Sequence, residues 1–245
     1  MEVTEDALLG GRVRLRQPAK GYRAGLDAAL LAAACEAGPG DRVLDVGCGP
    51  GAALLQVALR RPGTRVTGLE READMAALAR ENLALNGLLD RGAVLEGDVA
   101  EGFAGLGLPP FDEAVCNPPF FDDPGTLRAP HPSRRSAWMA DAGLGAWVAF
   151  LLGAVRDGGR VTMIHRAERL PELLALLSAK AGSIAVRPVQ PFAEAPAKRV
   201  LVRAVRSARG PFRLLPALVL HPADRGRHTP ETDALLRGEA ALDWS

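Results

Sequence analysis

The chain has 245 residues, 48% of them hydrophobic and 24% charged, with a formal net charge of +1. That balance suits one sizeable globular core and argues against a disordered or fibrous chain. No apolar run reaches the ~18 residues that a membrane span needs, and the acidic lead MEVTEDALLGG lacks the basic region of a secretory signal.

Three cysteines, Cys35, Cys48 and Cys116, are far apart and lack CxxC spacing. They read as small buried residues of a cytoplasmic protein, with neither a disulfide nor a metal framework. RVRLRQ (12–17) alternates apolar and charged residues and predicts a half-exposed strand. LDAALLAAACEAG (26–38) predicts an Ala/Leu-rich helix ended by Gly38 and Pro39. Short β-type runs at 42–46, 65–70, 92–97, 111–116 and 159–165 then alternate with helical stretches at 52–61, 71–87, 144–159 and 168–182. Such alternation predicts βαβ units, hence a mostly parallel sheet with helices on both faces. After 183 three strand-like runs follow in succession, SIAVRPV, KRVLVRAV and FRLLPALVLH, and two of them can pair antiparallel at one edge. The polar, Pro-containing stretch between Phe120 and Gly143 has no periodicity and predicts a long functional loop.

The first central strand runs into Asp45-Val46-Gly47-Cys48-Gly49-Pro50-Gly51. Glycines there permit a tight turn and let backbone N–H groups approach a ligand at a helix N-terminus. Gly47, Gly49 and Ala52 also satisfy a dinucleotide fingerprint, so a nicotinamide cofactor has to be weighed. Glu70, ending the second strand, can accept from two ribose hydroxyls of either cofactor, although an acid there also suits a helix N-terminus. Three points separate them, the first being Asp45, because a carboxylate at the turn repels a pyrophosphate and suits a cationic amino-acid head. Asp98, after the third strand, is placed to accept from an adenine amino group, and Arg71 and Val99 flank the two acids. The fourth strand ends in Asn117-Pro118-Pro119-Phe120, which has no role in a dehydrogenase.

The turn, the two spaced acids and this tetrapeptide resemble the class I methyltransferases that use S-adenosylmethionine (SAM). The resemblance implies a Rossmann-like α/β fold with a seven-stranded, mostly parallel sheet, an antiparallel edge, and one domain over 1–245. NPPF resembles the [DN]PP[YFW] motif of enzymes that methylate adenine N6, guanine N2 or glutamine N5. An amine conjugated to a ring is a poor nucleophile. The Asn117 side-chain oxygen and the Pro118 carbonyl can bind its two N–H groups and favour a pyramidal nitrogen, while Phe120 offers a face for stacking. The prolines fix φ and leave that carbonyl without a competing donor.

Upstream, QPAKGYRAGLDAALLAA (17–33) resembles the signature of the bacterial tRNA(Val) adenine-N6 methyltransferase family, and the likeness continues through SRRSAW, AKRVLVRAVR and LLPALVLH. It implies that Tyr22, Arg23 and Asp27 close over the methionine end of SAM, within an extension (1–40) covering the cofactor site. It also implies a substrate loop at 120–143. Asp27 by itself also reads as a helix cap. An RNA substrate, a tRNA first, agrees with the charge distribution: from Arg187 to His228 nine basic residues face two acids, a net +7. Lys198, Arg199 and Arg203, the last two on one strand face, with Arg134 and Arg135 in the loop, are the expected RNA contacts. Guanine-N2 methylation of rRNA and glutamine methylation remain alternatives, and the oligomeric state is open. The four histidines show no paired spacing, and His165 reads as a core or rim residue.

Overall fold

The computed structural model describes residues 2–20, 23–119, 143–224 and 226–245. The chain opens with an antiparallel hairpin of β1 (Val3–Leu8) and β2 (Val13–Pro18). In β2 the alternation holds: Val13, Leu15 and Gln17 are buried while Arg14 and Arg16 point outward. The hairpin is followed by α1 (Leu26–Ala34), then β3 (Arg42–Val46), α2 (Ala52–Arg60), β4 (Arg65–Glu70), α3 (Ala73–Leu85), β5 (Gly92–Glu96) and β6 (Phe111–Cys116). Beyond residue 142 come α4 (Leu144–Ala154), β7 (Val155–Arg166), α5 (Leu170–Ser178), β8 (Ala181–Gln190) and β9 (Arg199–Arg206). Two short strands, β10 (Arg213–Leu214) and β11 (Leu218–Val219), and α6 (Pro230–Arg237) complete the described elements.

The sheet runs β8-β9-β7-β6-β3-β4-β5 through its seven long strands, and β10 and β11 add to the outer side of β8. Every pairing is parallel except those of β9, which lies antiparallel between β7 and β8. One face is covered by α1, α2 and α3, the other by α4 and α5, each over its own apolar cluster. This is the doubly covered parallel architecture that the alternation predicts. Among the described residues no helix is long and apolar enough to cross a membrane.

Several boundaries differ from the sequence expectation: the helix expected over 168–182 spans only Leu170–Ser178, and FRLLPALVLH gives only the two-residue strands β10 and β11. The helix expected over 144–159 stops at Ala154, because Val155 pairs with Phe111 and a register shift absorbs the next residues before Arg160 meets Glu113. The Arg156–Asp112 ion pair, at 2.7 Å, fixes that extension. Likewise α1 ends at Ala34, where Cys35 turns to extended backbone, and Glu36 N–H donates to the buried Glu113 carboxylate at 3.1 Å.

Candidate active site

Register places the site residues before any side chain is considered. Val46 pairs with both Cys116 and Leu69, so the next residues, Gly47, Asn117 and Glu70, emerge at one level from the carboxyl ends of three adjacent parallel strands. Asp98 lies two residues beyond Glu96, which pairs with Glu70. The turn, both acids and the Asn-Pro-Pro corner therefore share one edge of the sheet, where open α/β sheets bind ligands.

Within the turn, the Gly47 and Cys48 N–H groups donate to Leu69 O at 2.8 and 3.0 Å, tying it to β4. Gly49 N–H donates to Glu70 Oε2 at 2.8 Å, and Glu72 N–H to Glu70 Oε1 at 2.8 Å. Gly51 is the N-cap of α2. Gly47 carries the strictest demand: its φ is +72°, and a Cβ there would sit 2.8 Å from the Trp147 indole. Trp147, on α4, is thus the floor of the turn. Gly47→Ala is expected to cost about 2–4 kcal/mol from left-handed backbone and overlap together. Urea unfolding measures this, and a wild-type midpoint would remove Trp147 from that role.

Asp45 is buried, with 3% of its surface exposed, and its Oδ2 has no partner among the described residues. Burial first, and the Glu70 charge in addition, push its carboxyl up to about 7 against the opposing Leu54 N–H. Asp98 caps a short 3-10 turn, accepting from Ala100 N–H at 2.9 Å, and Arg71 reaches its other oxygen at 3.5 Å. Val99, which follows, is buried. An acceptor buried without a donor, beside a second carboxylate, fits a cofactor whose end is cationic and disfavours a diphosphate.

The N-terminal segment falls differently. Arg23 donates to Thr4 Oγ1 at 2.7 Å, Pro18 O at 3.0 Å and Asp6 Oδ2 at 2.5 Å, which ties it to the hairpin. Buried Gln17 completes that clamp, donating to Asp6 and accepting from Ala24 N–H. Asp27 pairs with Arg199 at 3.1 Å. Asn117 and Pro119 are half-buried and Pro118 is buried. Tyr22, Phe120, Arg134 and Arg135 lie outside the described residues.

The expected basic face of β9 needs correction. Arg199 and Arg203 do share a face, but β9 is an inner strand and that face is covered. Arg203 is ion-paired with Glu36 and lies over the Trp244 ring at 5.1 Å, with 13% of its side chain exposed. Arg206 donates to Leu152 O and Val155 O at 2.9 and 2.6 Å. Of Lys198, Arg199 and Arg203, only Lys198 is exposed. His165 is buried at the end of β7, and burial lowers its imidazole below the ordinary range.

A parallel sheet with a glycine turn, spaced acids and an Asn-Pro-Pro corner on one edge defines a class I methyltransferase. Residues 23–129 match the methyltransferase small domain. The chain is 30% identical, over 90% of its length and 89% of the relative's, to a tRNA1(Val) (adenine(37)-N6)-methyltransferase of Porphyromonas gingivalis. It is 29% identical over 64% of its length to a release factor glutamine methyltransferase of Chlorobaculum tepidum, spanning 56% of that protein. A solved structure of a predicted O-methyltransferase from Agrobacterium tumefaciens superposes with a TM-score of 0.73 at 29% identity, over 88% of this chain and 98% of that one. The chain belongs to the methyltransferase small-domain family, and it is a SAM-dependent methyltransferase.

As the expected partner of the cationic end of SAM, Asp45 is predicted to make binding pH-dependent. A bound cation favours the ionised form, so association releases a proton below about pH 7. Affinity is expected to fall as pH drops from 8 to 6, by up to tenfold per unit. In the free protein the sign is opposite: this raised carboxyl stabilises the fold at acidic pH, and that contribution is lost as pH rises through 7. Calorimetry in two buffers of different ionisation heat checks the proton release, and Asp45→Asn should abolish it.

Proposed function

We propose that the enzyme methylates an exocyclic amine of a base in RNA, adenine N6 of a tRNA before others. The observation that carries this reading is the Asn117-Pro118-Pro119 corner, held level with Gly47 and Glu70 by the strand register. The nine-tenths of the chain shared with a tRNA adenine-N6 relative adds to it. SAM supplies an electrophilic methyl carbon. The Asn117 amide oxygen and the Pro118 carbonyl accept the two N–H groups of the acceptor amine and withdraw its nitrogen from conjugation. Phe120 stacks the ring that carries the amine. Positioning and hydrogen bonding do this without a strong base, and the surplus proton leaves to solvent.

Glu70 and Asp98 hold the ribose hydroxyls and the adenine amino group, with Gly49, Gly51, Arg71 and Val99 shaping that wall. Asp45 takes the cationic amino-acid end, beside Asn117. Residues 1–40 cover this site, with Tyr22 and Asp27 nearest the methionine end, and 120–143 admits the substrate. Lys198, Arg134 and Arg135 meet phosphates, and Arg199 does so where its pair with Asp27 opens. The working compartment is the cytoplasm, where tRNA is modified.

The test is transfer of labelled methyl from SAM to tRNA, rRNA and release-factor fractions, followed by nucleoside and amino-acid analysis. N6-methyladenosine from tRNA is expected. N2-methylguanosine would move the substrate to another base, and methylglutamine would remove RNA from the reading.

A further inference from the structure

Outside the site, three rings form a ladder at the far end of the same sheet edge. Phe192 and His221 have centroids 5.5 Å apart, tilted by 40°, and His221 stacks on His228 at 5.4 Å and 20°. All three are half-exposed, so the apolar core does not account for them. They are nonetheless firmly held. His221 N–H donates to Pro191 O at 3.0 Å, extending the β11–β8 pairing. The Thr229 and Thr232 hydroxyls both donate to Val219 O, at 2.8 and 3.1 Å, and fix the residue after His228.

β8 runs parallel to β7 and β6, so its carboxyl end, which carries Phe192, lies on the same edge as Asn117. Three strand spacings separate them, roughly 14 Å. Lys198, exposed at the start of β9, stands between the ladder and the Asn-Pro-Pro corner, and exposed Arg227 borders the rings. Of the neighbouring acids, Asp224 is occupied by Gly226 N–H and Asp233 by Arg237, while Glu194 is exposed in the Phe192 loop. Planar rings in series beside cations suit unpaired bases, whose π-faces stack and whose phosphates meet the charges.

We propose that the Phe192–His221–His228 ladder is a stacking platform for an unpaired RNA base that flanks the nucleotide being methylated. The platform rests on the RNA reading given above and adds a second, non-catalytic point of contact on the strand.

The probe is a fluorescein-labelled oligoadenylate, followed by anisotropy, with SAM calorimetry and tRNA methylation measured in parallel. Phe192→Ala and the double variant His221→Ala/His228→Ala are each expected to weaken oligonucleotide binding about five- to a hundredfold, one stacked base being lost. SAM affinity should be unchanged. Phe192→Trp, which enlarges the ring, should bind at least as tightly as wild type, and this decides the matter should the alanine variants misfold. Unaltered affinity in both alanine variants, or a Phe192→Trp loss as large as that of alanine, overturns the platform while leaving RNA methylation intact. A wild-type enzyme that methylates no RNA and does not bind the probe overturns the RNA reading and the platform with it.

Discussion

Asn117→Ala is expected to lower turnover by about two to three orders of magnitude, the scale seen when one preorganised group aimed at the reacting centre is removed. Its amide oxygen is assigned to the acceptor amine, so the loss should fall on turnover more than on SAM affinity. The backbone should hold, because Pro118 and Pro119 continue to fix the corner after β6. Asn117→Asp keeps an acceptor oxygen in place and is expected to retain more activity than alanine. Single-turnover methyl transfer with saturating SAM, together with calorimetry of SAM binding, separates the two effects. Wild-type turnover in Asn117→Ala would take the corner out of the mechanism, and a pure loss of SAM affinity would make Asn117 a cofactor ligand only.

Trp244→Ala should have the largest effect on stability, about 3–5 kcal/mol for a buried tryptophan. The ring is 2% exposed and its Nε1 donates to Ala34 O at 2.9 Å, at the end of α1. Around it, Leu242 N–H donates to Ala33 O at 3.0 Å, Arg213 to Trp244 O at 2.6 Å, and Arg187 to Asp243 O. Trp244→Phe keeps most of the packing, loses one hydrogen bond, and should cost nearer 1 kcal/mol beyond the lost ring area. Urea unfolding followed by circular dichroism measures both. A change below about 1 kcal/mol in the alanine variant would show that the segment is not part of the cooperative core.

The central strands were legible because hydrophobic runs, glycine turns and acids coincide there. β3, β4 and β6 begin and end where the pattern places them, and their parallel register then dictates which residues meet. The first strand, VTEDAL, was not legible: it is largely exposed and has no alternating apolar face, its position being set by β2. α6 left its signs in Thr229, Pro230 and Gly238, as N-cap, first-turn proline and left-handed stop. They lie just beyond the run read as basic surface, where no helix was predicted. That run shows the limit of counting charge. Arg187, Arg203, Arg206 and Arg213 have the sign a phosphate wants, yet each donates to a carbonyl or carboxylate within the fold. Arginines of and beside the N-terminal hairpin behave alike, Arg14 and Arg16 pairing with Glu5 and Arg23 with Asp6. Sequence carries the charge of a guanidinium but not the direction of its side chain, which only the packing of the elements around it decides.

The place of β9 in the sheet has a consequence for how the protein is made. β7 and β8 are joined by a single helix, yet they are not neighbours, because residues 199–206 fill the slot between them. On the ribosome, β7 therefore waits with its hydrogen-bonding edge open from Arg160 to Arg166 until β9 emerges. Such an open edge, flanked by Val161, Met163 and Ile164, is a template for pairing with another nascent chain. Closing the slot is a long-range step that pairs residues roughly 40 apart, which makes it slow relative to helix formation. The nascent enzyme thus passes through a stage at which the glycine turn and the Asn-Pro-Pro corner are already synthesised but the sheet beside them ends at β7. Chaperone dependence of folding in the cell would be concentrated in that interval.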